Sequence, residues 1–117
     1  RFARILPRVI DPATQKQLDA LLEDVVSTFA GDLRSVALYG SAAGGDFVPG
    51  RSRLDLAIVL SAIRFAHLAA LRSRLPRWHA LGAATPLLVD PAFLARALDV
   101  FPMEFLDIQA RHRTLWG

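Results

Sequence analysis

Val36-Ala-Leu-Tyr-Gly-Ser-Ala-Ala-Gly-Gly-Asp-Phe-Val-Pro-Gly-Arg-Ser-Arg-Leu-Asp-Leu-Ala-Ile-Val-Leu60 is the stretch on which the fold turns. It opens in a short apolar run, Ser35 to Tyr39, and closes in a second, Leu54 to Leu60, rich enough in Leu, Ile and Val to be a strand covered on both faces. Small residues and turn formers, among them Gly44, Gly45, Pro49 and Gly50, fill the segment between them. The first strand delivers Gly40 and Ser41 into a tight turn. Glycine lets the backbone approach a phosphate there, and exposed amides with a hydroxyl can hold its oxygens. That is half of a nucleotide site. The second strand carries Asp55, whose carboxylate points toward the same end of the sheet, where it can hold a metal.

Outward from this stretch the pattern alternates between helix and strand. Asp11-Pro12 reads as a helix start, because Asp caps exposed amides and Pro suits the first turn. Leu18, Leu21, Leu22, Val25, Val26 and Phe29 then recur at helical spacing until Gly31, which gives an amphipathic helix over about 12–30. Ser61 is the expected cap of a second helix over roughly 62–75, with Ile63, Ala66, Ala70, Leu71 and Leu75 on its core face and Pro76 ending it. Thr85 to Val89 reads as a third strand, Asp90-Pro91 opens a short helix to about Leu98, and Met103 to Ile108 reads as a fourth strand. The order α-β-β-α-β-α-β predicts a mixed α/β (α+β) domain built on one sheet of about four strands flanked by helices.

Composition bounds the rest. The 117 residues are 53% hydrophobic and 21% charged, so a single folded domain over 1–117 is expected and a disordered chain is excluded. The formal charge of +3 is too small to argue for or against nucleic acid, and all but one of the basic residues are Arg. With no cysteine there is no disulfide scaffold, thiolate nucleophile or Cys-based zinc site, and the cytoplasm is the default location. The longest apolar run, Leu54 to Ile63, is interrupted by Asp55 and Ser61, so no membrane partner is expected. The chain begins at Arg1 and stops at Gly117 directly after Trp116. The expectation is therefore a piece of a longer protein.

The strand, Gly40-Ser41, the ten residues separating Ser41 from Ser52, and Asp55 on the next strand resemble the nucleotidyltransferase superfamily, which includes the DNA polymerase β-like enzymes and the MNT-type domains. The family pattern is Gly-Ser, a spacer of about ten, then Ser-Asp-x-Asp, with a third carboxylate on a later strand. Gly40, Ser41 and Ser52 match, and Asp55 matches the second Asp of the pair. Arg53 stands where the family places its first metal-binding Asp. The segment Asp99 to Gln109 and the following Arg111 to Gly117 look like a bacterial branch in which a helical portion commonly follows. Under this resemblance the third carboxylate is Glu104 or Asp107. Strand alternation places these two on opposite faces, and Glu104 is the slightly favoured metal ligand beside Asp55.

The resemblance implies a nucleoside triphosphate and magnesium (Mg2+), which stabilises attacking and leaving oxygens during in-line nucleotidyl transfer. Magnesium takes hard oxygen ligands, so Arg in place of a carboxylate removes a ligand and adds a cation. Catalysis by Asp55, Glu104 and Asp107 is therefore expected to be impaired, and Arg53 can meet phosphate oxygens directly. Three functions stay open at this point. One is a degenerate domain that retains nucleotide binding or a regulatory, partner-binding role. The second is an active metal-dependent transferase moving a nucleoside monophosphate to an unknown acceptor, and the third is a structural module docked on a helical domain or a second subunit. Asp55 has a purely structural alternative as an ion-pair partner of Arg51 or Arg53. Arg64, Arg72, Arg74 and Arg77 read as a solvated helix face, and His67, His79 and His112 lack partners at ligand spacing.

Overall fold

Asp11 caps the first helix as its position demands, accepting hydrogen bonds from the Thr14 amide at 3.4 Å and from the Thr14 hydroxyl. The computed structural model describes residues 11–40, 48, 51–100 and 112–117. Helix α1 spans Pro12–Phe29 and buries Leu18, Leu21, Leu22, Val25 and Phe29 on one face. It ends one residue short of the expected 12–30 span. Ala30 takes the positive φ of +34° while its amide still bonds to the Val26 carbonyl, and a 3-10 turn over Ala30–Asp32 leads into the sheet.

Strand β1, Leu33–Tyr39, pairs antiparallel with β2, Asp55–Leu60. Helix α2, Phe65–Ala80, crosses over to β3, Leu87–Val89, which lies parallel to β2. Helix α3, Pro91–Val100, follows, with the Asp90 carboxylate accepting from the Phe93 amide at 2.8 Å and from the Ile63 amide at 3.1 Å. Those two amides hold the Asp90 carboxyl below the usual carboxylate range. Strand β4, Arg113–Trp116, pairs antiparallel with β1. The sheet order is β3-β2-β1-β4, a four-stranded mixed sheet flanked by helices, as the element order predicts. Val36 and Leu38 of β1, with Leu56, Ile58 and Leu60 of β2, form one core with the apolar face of α1 and with Trp78 of α2.

Two expectations change. The fourth strand of the sheet is Arg113–Trp116, while the segment 103–108 expected in that role lies outside the described residues. Helix α2 neither starts under a Ser61 cap nor stops at Pro76; it begins after Arg64 and runs through the proline to Ala80. At the N-terminus His67 takes the capping role, its Nδ1 accepting from the Arg64 amide at 2.9 Å. A ring nitrogen that accepts leaves the proton on Nε2, which faces Asp32 Oδ2 at 2.9 Å and ties the helix start to the turn before β1. That hydrogen bond also holds the Asp32 carboxyl below its ordinary value.

At the other end, Pro76 removes a helical donor at a cost of about 3 kcal/mol. What carries the helix past it is Trp78, fully buried in the core with its indole N–H donating to Asp24 of α1. Burial of a Trp is worth about 3–5 kcal/mol by truncation, enough to offset the proline. Arg74 and Arg77, expected in solvent, also reach Asp24, at 3.4 and 3.6 Å. Among the described residues no helix is long and apolar enough to cross a membrane.

Candidate functional site

The antiparallel register sets Tyr39 opposite Asp55, so the end of β1 and the start of β2 meet at one edge of the sheet. Gly40, the next residue, has φ of +70°, the left-handed region that favours glycine. A Cβ added there would collide with Asp55 Oδ2 and fall 3.3 Å from its carboxyl carbon. The carboxyl of Asp55 thus rests against a bare stretch of backbone that only glycine supplies. The sequence expectation that Gly40 and Asp55 share one end of the sheet is what the register produces.

Burial pushes the Asp55 carboxyl above the ordinary carboxylate range, and the same half-buried setting, with the charge of Asp55 opposite, raises the Tyr39 phenol. Neither Arg51 nor Arg53 pairs with Asp55 among the described residues, so the structural ion pair is not formed. A carboxyl whose pKa is higher folded than unfolded favours the fold while protonated. Its contribution is lost as pH rises through the raised value. Asp55→Asn is therefore expected to melt slightly above the wild-type chain at pH 7, with the gap closing toward pH 3. A lower melting temperature than wild type at pH 7 would contradict this account of Asp55.

Ser52 and Arg53 lie just before β2. Ser52 closes a local turn: its amide donates to the Val48 carbonyl at 2.8 Å, and its hydroxyl oxygen accepts from the Val48 amide at 3.0 Å. Arg53 reaches the Ala83 carbonyl with one guanidinium nitrogen at 3.5 Å. It lines a pocket of about 260 Å³ whose described walls are Thr14 and Gln17 of α1, Arg51, Ser52, Leu54 and Gly82. Gln17, Thr14 and Gly82 had no signal in the sequence, being brought to Arg53 only by the packing of α1 and by the bridge between Leu54 and Ala83.

Ser41, Glu104 and Asp107 lie outside the described residues. Whether residues suit magnesium is decided by their donors. Among the described residues this edge supplies one carboxylate, Asp55, with no group of three Asp, Glu, His or Cys, and the neighbouring position is the cation Arg53. Asp55 is thus one of the hard oxygen ligands that magnesium takes, and the other expected ligands, Glu104 and Asp107, lie outside the described residues. What the edge offers is a close backbone approach at Gly40, one proton-binding carboxyl, and two guanidinium groups at Arg51 and Arg53.

No family model matches this chain, and no curated protein does. Among solved structures it is similar to a crystal structure from Sulfolobus solfataricus provisionally described as a nucleotidyltransferase, at 19% identity and a TM-score of 0.46, over 77% of this chain and 85% of that one. The mixed four-stranded fold stands on the chain's own pairing and register and does not rest on that likeness.

Proposed function

We propose that this chain is a nucleotidyltransferase-like domain of bacterial type whose catalytic pair has lapsed, and which keeps a site for the phosphates of a nucleotide. One observation carries the reading. Gly40, in a left-handed conformation at the end of β1, lies against the Asp55 carboxyl at the start of β2, while Arg53 occupies the position two residues before Asp55. The strand-turn-strand arrangement supports a phosphate approach at Gly40, and Arg53 replaces an acceptor of metal by a fixed donor of hydrogen bonds.

Physical chemistry separates the two states of such a site. In the family, magnesium neutralises the phosphates and aligns the oxygens that are attacked and released. Asp55 alone gives one anionic ligand, whereas a guanidinium is permanently charged and presents a planar fork to phosphate oxygens without a metal. Binding that needs little magnesium follows from Arg53, and no nucleotidyl transfer is derived from the residues described.

Calorimetric titration of ATP, with and without magnesium, into the chain and into Arg53→Asp tests this. The expected result is wild-type binding that changes little when magnesium is withdrawn, and binding by Arg53→Asp that depends on it. Tight wild-type binding only with magnesium, accompanied by transfer of label from a radiolabelled triphosphate, would return an active transferase. No binding of any of the four common ribonucleoside triphosphates at millimolar concentration would overturn the nucleotide reading itself.

A further inference from the structure

The pocket between α1 and the start of β2 has a construction that neither the fold nor the Gly40 edge requires. We infer that it is a metal-independent seat for a diphosphate group, held by Arg51 and Arg53 with Gln17 and Ser52. Its floor is rigid. Leu54 is fully buried, its amide donates to the Gly82 carbonyl at 2.9 Å, and its carbonyl accepts from the Ala84 amide at 3.0 Å. On the α1 side Thr14 is buried and its hydroxyl is committed to Asp11, so that wall is held as well.

The rim is built from donors. Arg51 and Arg53 are exposed and carry no carboxylate partner among the described residues, in contrast to Arg74 and Arg77, which share Asp24. Both side chains line the pocket, and no described carboxylate neutralises either; an anion held in the pocket would. The Ser52 hydroxyl accepts from the Val48 amide, which leaves its own hydrogen free to donate outward. Gly82, with φ of +93°, lies beside Gln17: a Cβ there would come within 3.3 Å of Gln17 Oε1, so its absence leaves room for the side-chain amide at the pocket wall. A volume of about 260 Å³ falls below the range of roughly 300–1,000 Å³ usual for whole drug-sized ligands, and two guanidinium forks match two linked phosphoryl groups. The ligand class is thus a diphosphate, either inorganic pyrophosphate or the diphosphate end of a nucleotide. Arg53 carries the nucleotide reading above as well, whereas that reading does not depend on Arg51, Gln17 or Gly82.

The test is titration of sodium pyrophosphate and, separately, ATP into the chain without divalent cations, at low and at physiological salt. Wild type is expected to bind pyrophosphate, more weakly as salt screens the guanidinium charges. Arg51→Gln should weaken binding at least tenfold, Arg51→Lys should restore part of it, and Arg72→Gln, the same charge change on exposed α2, should leave it as in wild type. All three are surface changes, and equal melting temperatures will show that they fold. Equal losses in Arg51→Gln and Arg72→Gln, no binding of pyrophosphate at millimolar concentration, or binding confined to an RNA oligonucleotide would overturn the proposal. The two readings fail separately. Pyrophosphate binding kept in Arg51→Gln, with ATP binding lost in Gly40→Ala, overturns the pocket and leaves the nucleotide site. ATP bound no more tightly than pyrophosphate overturns the nucleotide site and leaves the pocket.

Discussion

Trp78→Ala is expected to cost about 3–5 kcal/mol, read as a shift in the midpoint of chemical denaturation. A domain of this size is stable by about 5–15 kcal/mol in all, so the variant should be unfolded or close to it at physiological temperature. The size of the effect comes from three losses at once. The indole is fully buried between α1 and the sheet, packing against Phe29 with ring centroids 6.4 Å apart. Its N–H satisfies Asp24, whose carboxylate is largely withdrawn from water. It also anchors the last turn of α2 beyond Pro76, where the helix lacks a donor. Trp78→Phe keeps the ring and loses the N–H, and because Arg74 and Arg77 remain beside Asp24 it should cost only about 1–2 kcal/mol. A Trp78→Ala variant that loses less than about 1 kcal/mol would mean that this packing does not hold α2 in place.

Gly40→Ala is expected to lose about 1–2 kcal/mol from backbone conformation alone, because an L residue pays that much in the left-handed region. The new methyl also meets the Asp55 carboxyl, so either the turn or Asp55 must move. Melting temperature and ATP affinity should therefore fall together, with binding reduced by an order of magnitude or more. Gly31→Ala is the matched control: nothing lies within 4 Å of its added Cβ and its φ is ordinary, so it should be neutral or slightly stabilising. Full ATP affinity in Gly40→Ala would remove Gly40 from the site.

The two central strands were legible because their apolar runs end at glycine on one side and begin at a charged residue on the other, and the antiparallel register, which sets Tyr39 opposite Asp55, brings Gly40 and Asp55 to the same end of the sheet. Helix α1 was legible too, since six apolar residues at helical spacing follow a capped start. Helix α2 was misread at both ends for one reason. Ser61 and Pro76 are strong local signals, but His67 against Asp32 and Trp78 against Asp24 are contacts over 35 and 54 residues, and burial outweighed local propensity. The strand Arg113–Trp116 had no local mark strong enough to be read, for four residues become a strand only when β1 offers its free edge.

By itself the sequence determined most of the alternation of helices and strands and the glycine that must end β1, because both are properties of residue type and spacing, whereas the carboxylate expected in place of Arg53 is what the family resemblance implies. Only the tertiary structure decided where Arg53 points, that Asp55 lies partly buried against Gly40 with no ion-pair partner among the described residues, and that Gln17 and Gly82 line a pocket with two arginines. Those are contacts between residues far apart in the chain, and they come into being only when α1 and α2 bury their apolar faces on the same side of the sheet.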